Sequence, residues 1–187
     1  MSENKTLLTR LQTVLSRAQY LLRNLPSRLR GWKQMLMAIA RLGFVSALSA
    51  TLLRADGTKQ HLGVVSNRVV TTAGAGFLVD AFQNLTEAEA INWHQSGTGT
   101  AAEAVGDIAL GTPQGTRVAG TQSEPSATVY RTVATLSYTA TLAITEHGLF
   151  TASTGGVLWD RSVFAAINVV NGDSIQFTYN LTVNAGG

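Results

Sequence analysis

The sequence predicts a mainly β protein, α+β overall: an antiparallel β-sandwich or jelly-roll-like body behind an N-terminal helical arm. Three observations predict it. The last apolar stretch alternates strictly, with Ile175, Phe177, Tyr179, Leu181 and Val183 on one face and Gln176, Thr178, Asn180 and Thr182 on the other, the period of a half-buried strand. Further β-prone runs precede it at regular spacing, separated by turn signals such as Gly155-Gly156 and Asn171-Gly172-Asp173. The first thirty residues instead repeat apolar side chains at intervals of three and four, a helical period.

Charge divides the chain in the same way. Ten of the 14 Lys and Arg lie in residues 1–60 against only Glu3 and Asp56, while residues 61–187 carry four Arg against nine acids. The expected division is therefore a basic anchoring arm over 1–60 and a body domain over 61–187. Only 13% of the 187 residues are charged, below the typical ~25%, as suits a β-rich body. Because the excess of base is confined to the arm, nucleic acid is not the expected partner of the acidic body. The chain has no Cys, which excludes disulfides and thiolate chemistry.

Within the arm, Leu8, Leu11, Leu15, Ala18, Leu22, Leu25 and Leu29 form a heptad seam, with Pro26 ending or kinking the helix near Leu25. An exposed Leu forfeits about 1.5–3 kcal/mol. The seam must therefore pack on the protein's own body, on other copies or on a partner. Ser27 is placed to cap a second helix through Trp32, Met35, Leu36, Ile39 and Leu42, decorated by Arg28, Arg30, Lys33 and Arg41. Met35 to Leu53 approaches the length of a membrane span, but Arg41 near its middle argues against insertion. Phe44 to Arg54 reads as a strand or as a helix extension, followed by a turn at Ala55-Asp56-Gly57.

In the body, Val64 to Val70 reads as a strand, and Thr71 or Thr72 caps a short helix through Phe82. Ile91 to His94 reads as a further strand before the flexible Ser96–Thr100, while Thr100 to Leu110 is ambiguous. From Arg117 onward the pattern is β, with runs at 129–141, 142–150, 157–164 and 174–183.

Chemistry is sparse. His61, His94 and His147 are scattered, with no metal-ligand spacing. Glu146 and His147 are adjacent and so point to opposite faces of a strand. Gly74-Ala75-Gly76 lacks the Lys of a phosphate loop, and its glycines fit close packing or a tight turn. Asp160 and Arg161, in LWDRSVF, are placed for contacts with a neighbouring strand or subunit. The expectation is a non-enzymatic protein with no cofactor and no metal.

Four runs bear on its class: VVTTAGAGFLVDAFQN (69–84), WHQSGTGTAAEAVGDIAL (93–110), VYRTVATLSYTATLAITEHGLFTAS (129–153) and LWDRSVFAAINVVNGDSIQFTYNLTV (158–183). Through them residues 62–187 resemble a family of tailed-bacteriophage virion structural proteins; RGWKQMLMAIARLGF of the arm is similar less specifically. The resemblance implies a structural role in the virion, assembled in the host cytoplasm, and supplies no catalytic residue. It points to a capsid decoration (cement) protein, a homo-oligomer such as a trimer. Its partners would be the major capsid protein and copies of itself, engaged through Leu8, Leu11, Leu15, Leu22, Leu25, Arg28, Arg30, Trp32, Lys33 and Arg41. The alternative is a head or tail fibre component, with loops at 97–99 and 154–156 exposed for host contact.

Overall fold

The computed structural model describes residues 44–67, 69–86 and 90–183. The helices expected over the arm lie outside these residues. In chain order the elements are β1 (Phe44–Leu53), β2 (Lys59–Ser66), β3 (Val69–Val70), α1 (Thr72–Phe82), β4 (Trp93–Gly97), β5 (Pro113–Ala119), β6 (Thr121–Ser126), β7 (Val129–Ser137), β8 (Leu142–Phe150), β9 (Leu158–Val169) and β10 (Ser174–Val183). They form two five-stranded antiparallel sheets, ordered β2-β1-β10-β7-β6 and β3-β9-β8-β4-β5. The chain changes sheet between β2 and β3, β5 and β6, β7 and β8, and β9 and β10. The expected mainly β, sandwich-like body is the observed architecture.

One core lies between the sheets. Ile175, Phe177, Tyr179 and Leu181 of β10 are buried, as their alternation predicts. They meet Leu48, Ala50 and Leu52 of β1, Ala134 and Leu136 of β7, and Ile144, Leu149, Trp159, Ile167 and Val169 of the opposite sheet. A smaller cluster of Leu110, Phe150 and Leu158, with Trp93 against it, sits on the other face of the second sheet. Val183 ends the alternation: it is 43% exposed at the end of β10.

Residues 44–53 resolve the choice between strand and helix. They pair with β10 over their full length, from Phe44 opposite Val183 to Leu53 opposite Ser174, and with β2 on the other side. Burial of Ser46, Leu48, Ala50 and Leu52 has the period of two that a strand between two neighbours requires. The boundary drawn from charge at residue 60 therefore falls inside β2, and 44–60 is part of the body. Charge misplaced it because Arg54 and Lys59 flank a hairpin turn of the body, where Arg54 pairs with Asp173 and Lys59 is exposed. That turn is held by the Thr58 N–H donating to Asp56 Oδ1 at 2.8 Å, with Gly57 at φ 88°. The same pairing removes residues 44–53 from any continuous span beginning at Met35. Among the described residues, no helix is long and apolar enough to cross a membrane.

Helix α1 begins at an N-cap, Thr71, whose hydroxyl oxygen accepts from the Gly74 N–H at 2.9 Å and donates to the Leu158 carbonyl. Gly74 faces β9 so closely that a Cβ there would stand 2.7 Å from the Trp159 carbonyl oxygen. This is the close approach its sequence context suggested. The ambiguous stretch 100–110 has no regular element.

Candidate functional site

Between β8 and β9 the register shifts from Leu149 opposite Asp160 to Phe150 opposite Leu158. Trp159 is the extra residue of a β-bulge, so Trp159 and Asp160 both turn to the core while Arg161 turns away from it. Simple alternation predicted Asp160 and Arg161 on opposite faces, which holds. It did not predict that Trp159 shares the face of Asp160. The bulge thereby places one polar cluster inside the sandwich and another on the outer face of the second sheet.

On the outer face, the Glu146 carboxylate of β8 accepts five N–H groups. Oε1 takes the backbone N–H of Gly99 at 3.0 Å and of Thr112 at 2.7 Å. Oε2 takes that of Gly111 at 3.0 Å, together with Nε and Nη2 of Arg161 at 3.0 and 2.8 Å. Arg161 Nη1 donates to Asp107 at 2.8 Å, and Nη2 to the Ala101 carbonyl at 3.2 Å. Burial alone would raise the Glu146 carboxyl, but the N–H groups of Thr112, Gly111, Arg161 and Gly99 hold it below its ordinary value. Thus Arg161 makes an inter-strand contact within the chain, and the pair ties residues 98–112 down onto the sheet. The segment at 97–99 is covered rather than presented: Gly97 and Gly99 are buried, and a Cβ on either would meet Glu146. The expected exposure of this loop is corrected on that ground, whereas 153–156 is an exposed turn.

Inside the core, Asp160 accepts from the Tyr179 hydroxyl of β10 at 3.2 Å and from the Ser162 hydroxyl at 3.3 Å. Trp159 Nε1 donates to Tyr179 at 2.9 Å, which orients the phenol. Asp160 too reaches another strand of this chain, β10 of the facing sheet, besides Ser162 of its own strand. Burial pushes its carboxyl up to about 6 even though Ser46, Tyr179 and Ser162 hydrogen-bond it.

The histidines that spacing left scattered are in part brought together. His94 of β4 and His147 of β8 lie on neighbouring strands, with Nδ1 and Nε2 3.0 Å apart, a hydrogen bond whose direction is set by the tautomers of the two rings. His94 Nε2 is 3.0 Å from Thr132 Oγ1 in the facing sheet, and the His147 ring packs on Phe177. The chain His147–His94–Thr132 spans the sandwich. Burial lowers His94 to about 4 and drives His147 well below its usual value, so both are neutral near pH 7. Glu146 lies on the other face, as adjacency required. His61 stands apart, 3.0 Å from Thr51 Oγ1 on the β1–β2 surface. Among the described residues, no group of three His, Cys, Asp or Glu is arranged to hold a metal ion.

Two further features had no signal in residue spacing. Asp173, between β9 and β10, accepts from Arg54 at 2.7 Å and from the backbone N–H groups of Ala55 and Val170, both at 3.0 Å, joining two turns at one end. A cleft of about 410 Å³ opens between β5 and β7, lined by residues including Gln114, Thr116, Val118, Thr135, Leu136 and Ser137.

The predicted partner-binding residues Leu8, Leu11, Leu15, Leu22, Leu25, Arg28, Arg30, Trp32, Lys33 and Arg41 lie outside the described residues. Comparison with protein-family models, with curated proteins and with solved structures gives no match.

Proposed function

We propose that the chain is a non-enzymatic structural protein of a tailed-phage virion, a decoration (cement) protein that stabilises the capsid. In this reading the basic arm anchors it to the major capsid protein, and the body makes lateral contacts with other subunits, its own copies among them. The observation that carries the reading is the surface around α1. Val79 and Phe82, with Leu85 just beyond the helix, are 54%, 84% and 71% exposed. Large apolar side chains grouped in water on an otherwise well-packed domain suit a surface covered in an assembly.

The interior supports the same reading. Glu146, Arg161, Asp160, His94 and His147 are bound to one another, to hydroxyls or to backbone, and their contacts fix loops and join sheets. The charge split supplies an arm suited to steering toward acidic protein surfaces, and the resemblance of residues 62–187 supplies the virion context. The fibre reading rests on one feature, the exposed turn at 153–156.

Cryo-electron microscopy of purified particles tests the proposal. The expected result is density for two facing five-stranded sheets on the head surface. The same density at a fibre would select the second reading, and its absence from the particle would sink both.

A further inference from the structure

Among the described residues, the two sheets leave an unpaired strand edge at the cleft. Strand β7 runs to Ser137 and pairs with β10 along this whole stretch, from Ala134 opposite Phe177 to Ser137 opposite Ser174. On its other side β6 begins at Thr121, opposite Val133. Residues 134–137 therefore have no strand on that side among the described residues. Across the cleft lies β5, the edge of the other sheet, paired among the described residues with β4 alone. Two free edges thus border one opening of about 410 Å³, within the ~300–1,000 Å³ range of ligand sites.

Sheet edges are protected by charge, proline, bulges or brevity. The other edges here have such devices. Strand β6 carries Glu124 and Pro125, β5 starts at Pro113, β2 carries Lys59 and two register shifts, and β3 is two residues long. The stretch Ala134-Thr135-Leu136-Ser137 contains neither charge nor proline, and its register with β10 is unbroken. No residue lining the cleft is charged, and Val118, Leu136 and Leu142 supply apolar lining beside the hydroxyls of Thr116, Thr135 and Ser137.

We propose that this cleft receives an extended, uncharged polypeptide segment of a partner protein, which adds to the free edge of β7 at residues 134–137 as a further antiparallel or parallel strand. Main-chain hydrogen bonds to β7 hold it, as in other cases of strand addition. Alternate side chains of the segment face inward onto Val118, Leu136 and Leu142, and the others face the hydroxyl-bearing rim. The neutral lining selects against charged segments, because an ionised side chain placed there would lose water without gaining a counter-charge.

The probe is a capped peptide of alternating threonine and valine, titrated into the full-length chain and followed by backbone amide exchange and NMR shifts. The expected result is saturable shifts at 134–137 with slowed exchange there. The same peptide methylated on alternate backbone nitrogens should lose binding, and Thr116→Lys, at an exposed lining position, should lose it without lowering Tm. The proposal is overturned if the peptide does not bind, or if the protected amides lie elsewhere. It is also overturned if the methylated peptide binds equally, which would mean a side-chain groove. Protection at 134–137 that rises with protein concentration in the absence of peptide would identify a second copy as the occupant instead, and would likewise overturn it.

Discussion

Arg161 places Nε and Nη2 on the same carboxylate oxygen of Glu146, at 3.0 and 2.8 Å, from the neighbouring strand of the sheet. The other carboxylate oxygen is given entirely to the backbone of Gly99 and Thr112. One ion pair therefore couples a strand pair to the long segment that covers it.

Removing one partner has unequal consequences at the two ends. Glu146→Ala leaves Arg161, 3% exposed, with Asp107 as its remaining ion-pair partner among the described residues, and frees three backbone N–H groups. The expected loss is about 3–5 kcal/mol in urea unfolding. Arg161→Met leaves Glu146 with its three backbone donors and should cost less. Amide exchange at Gly99, Gly111 and Thr112 should quicken far more in the glutamate variant. Equal losses in the two variants would contradict this account.

Acid acts on three buried groups, the two histidines with one sign and Asp160 with the other. His94 is lowered from 6.5 to about 4, so the unfolded chain takes up its proton first and stability falls as pH drops from 6.5 toward 4. His147, held lower still, acts in the same direction. Asp160 is raised from 3.8 to about 6, so the folded chain binds its proton first. It adds stability as pH falls from about 6 to 3.8. Asp160→Asn removes the compensating group and should steepen the acid loss by up to about 1.4 kcal/mol per pH unit within that window. Unfolding free energies measured from pH 7 to 4 check this, and parallel curves for the two proteins would count against it.

The two glycines of α1 should respond in opposite directions to alanine. A Cβ on Gly74 meets the backbone of Trp159, whereas one on Gly76 meets nothing within 4 Å. Gly74→Ala should therefore cost about 1–3 kcal/mol through overpacking. Gly76→Ala should gain about 0.5–1 kcal/mol through helix propensity and a less flexible unfolded chain. Thermal unfolding of the pair is the measurement, and a stabilised Gly74 variant would refute the close approach to Trp159.

Truncation should separate arm from body at residue 43. A chain starting at Phe44 retains β1 and should keep its sheet signature in circular dichroism and a cooperative transition. A chain starting at Ala55 lacks the strand between β2 and β10, along with buried Leu48 and Leu52. Each of these leucines contributes about 1.5–3 kcal/mol, so the shorter chain should not fold. If the proposed capsid anchoring holds, the chain starting at Phe44 should fail to saturate phage heads that the full chain decorates.

Much of the body was legible from local pattern. Residues 142–150 and 174–183 are strands with the bounds their runs suggested, because each is bracketed by turns and patterned by burial on one side or both. An N-cap at Thr71 or Thr72 was legible because capping is decided within three residues, and the structure assigns it to Thr71. The division at 60 was not, because net charge does not report which strand a segment joins.

The sequence by itself determined the mainly β class, the alternation that buries Phe177 and Tyr179, and the opposite facing of Glu146 and His147. These depend on neighbours along the chain. Only the tertiary structure decided that His94 meets His147, that Glu146 meets Arg161, that a bulge turns Trp159 inward beside Asp160, and that β7 outruns β6. Such contacts depend on strand order and register between residues far apart in sequence, and a local period of two is the same for every order and register.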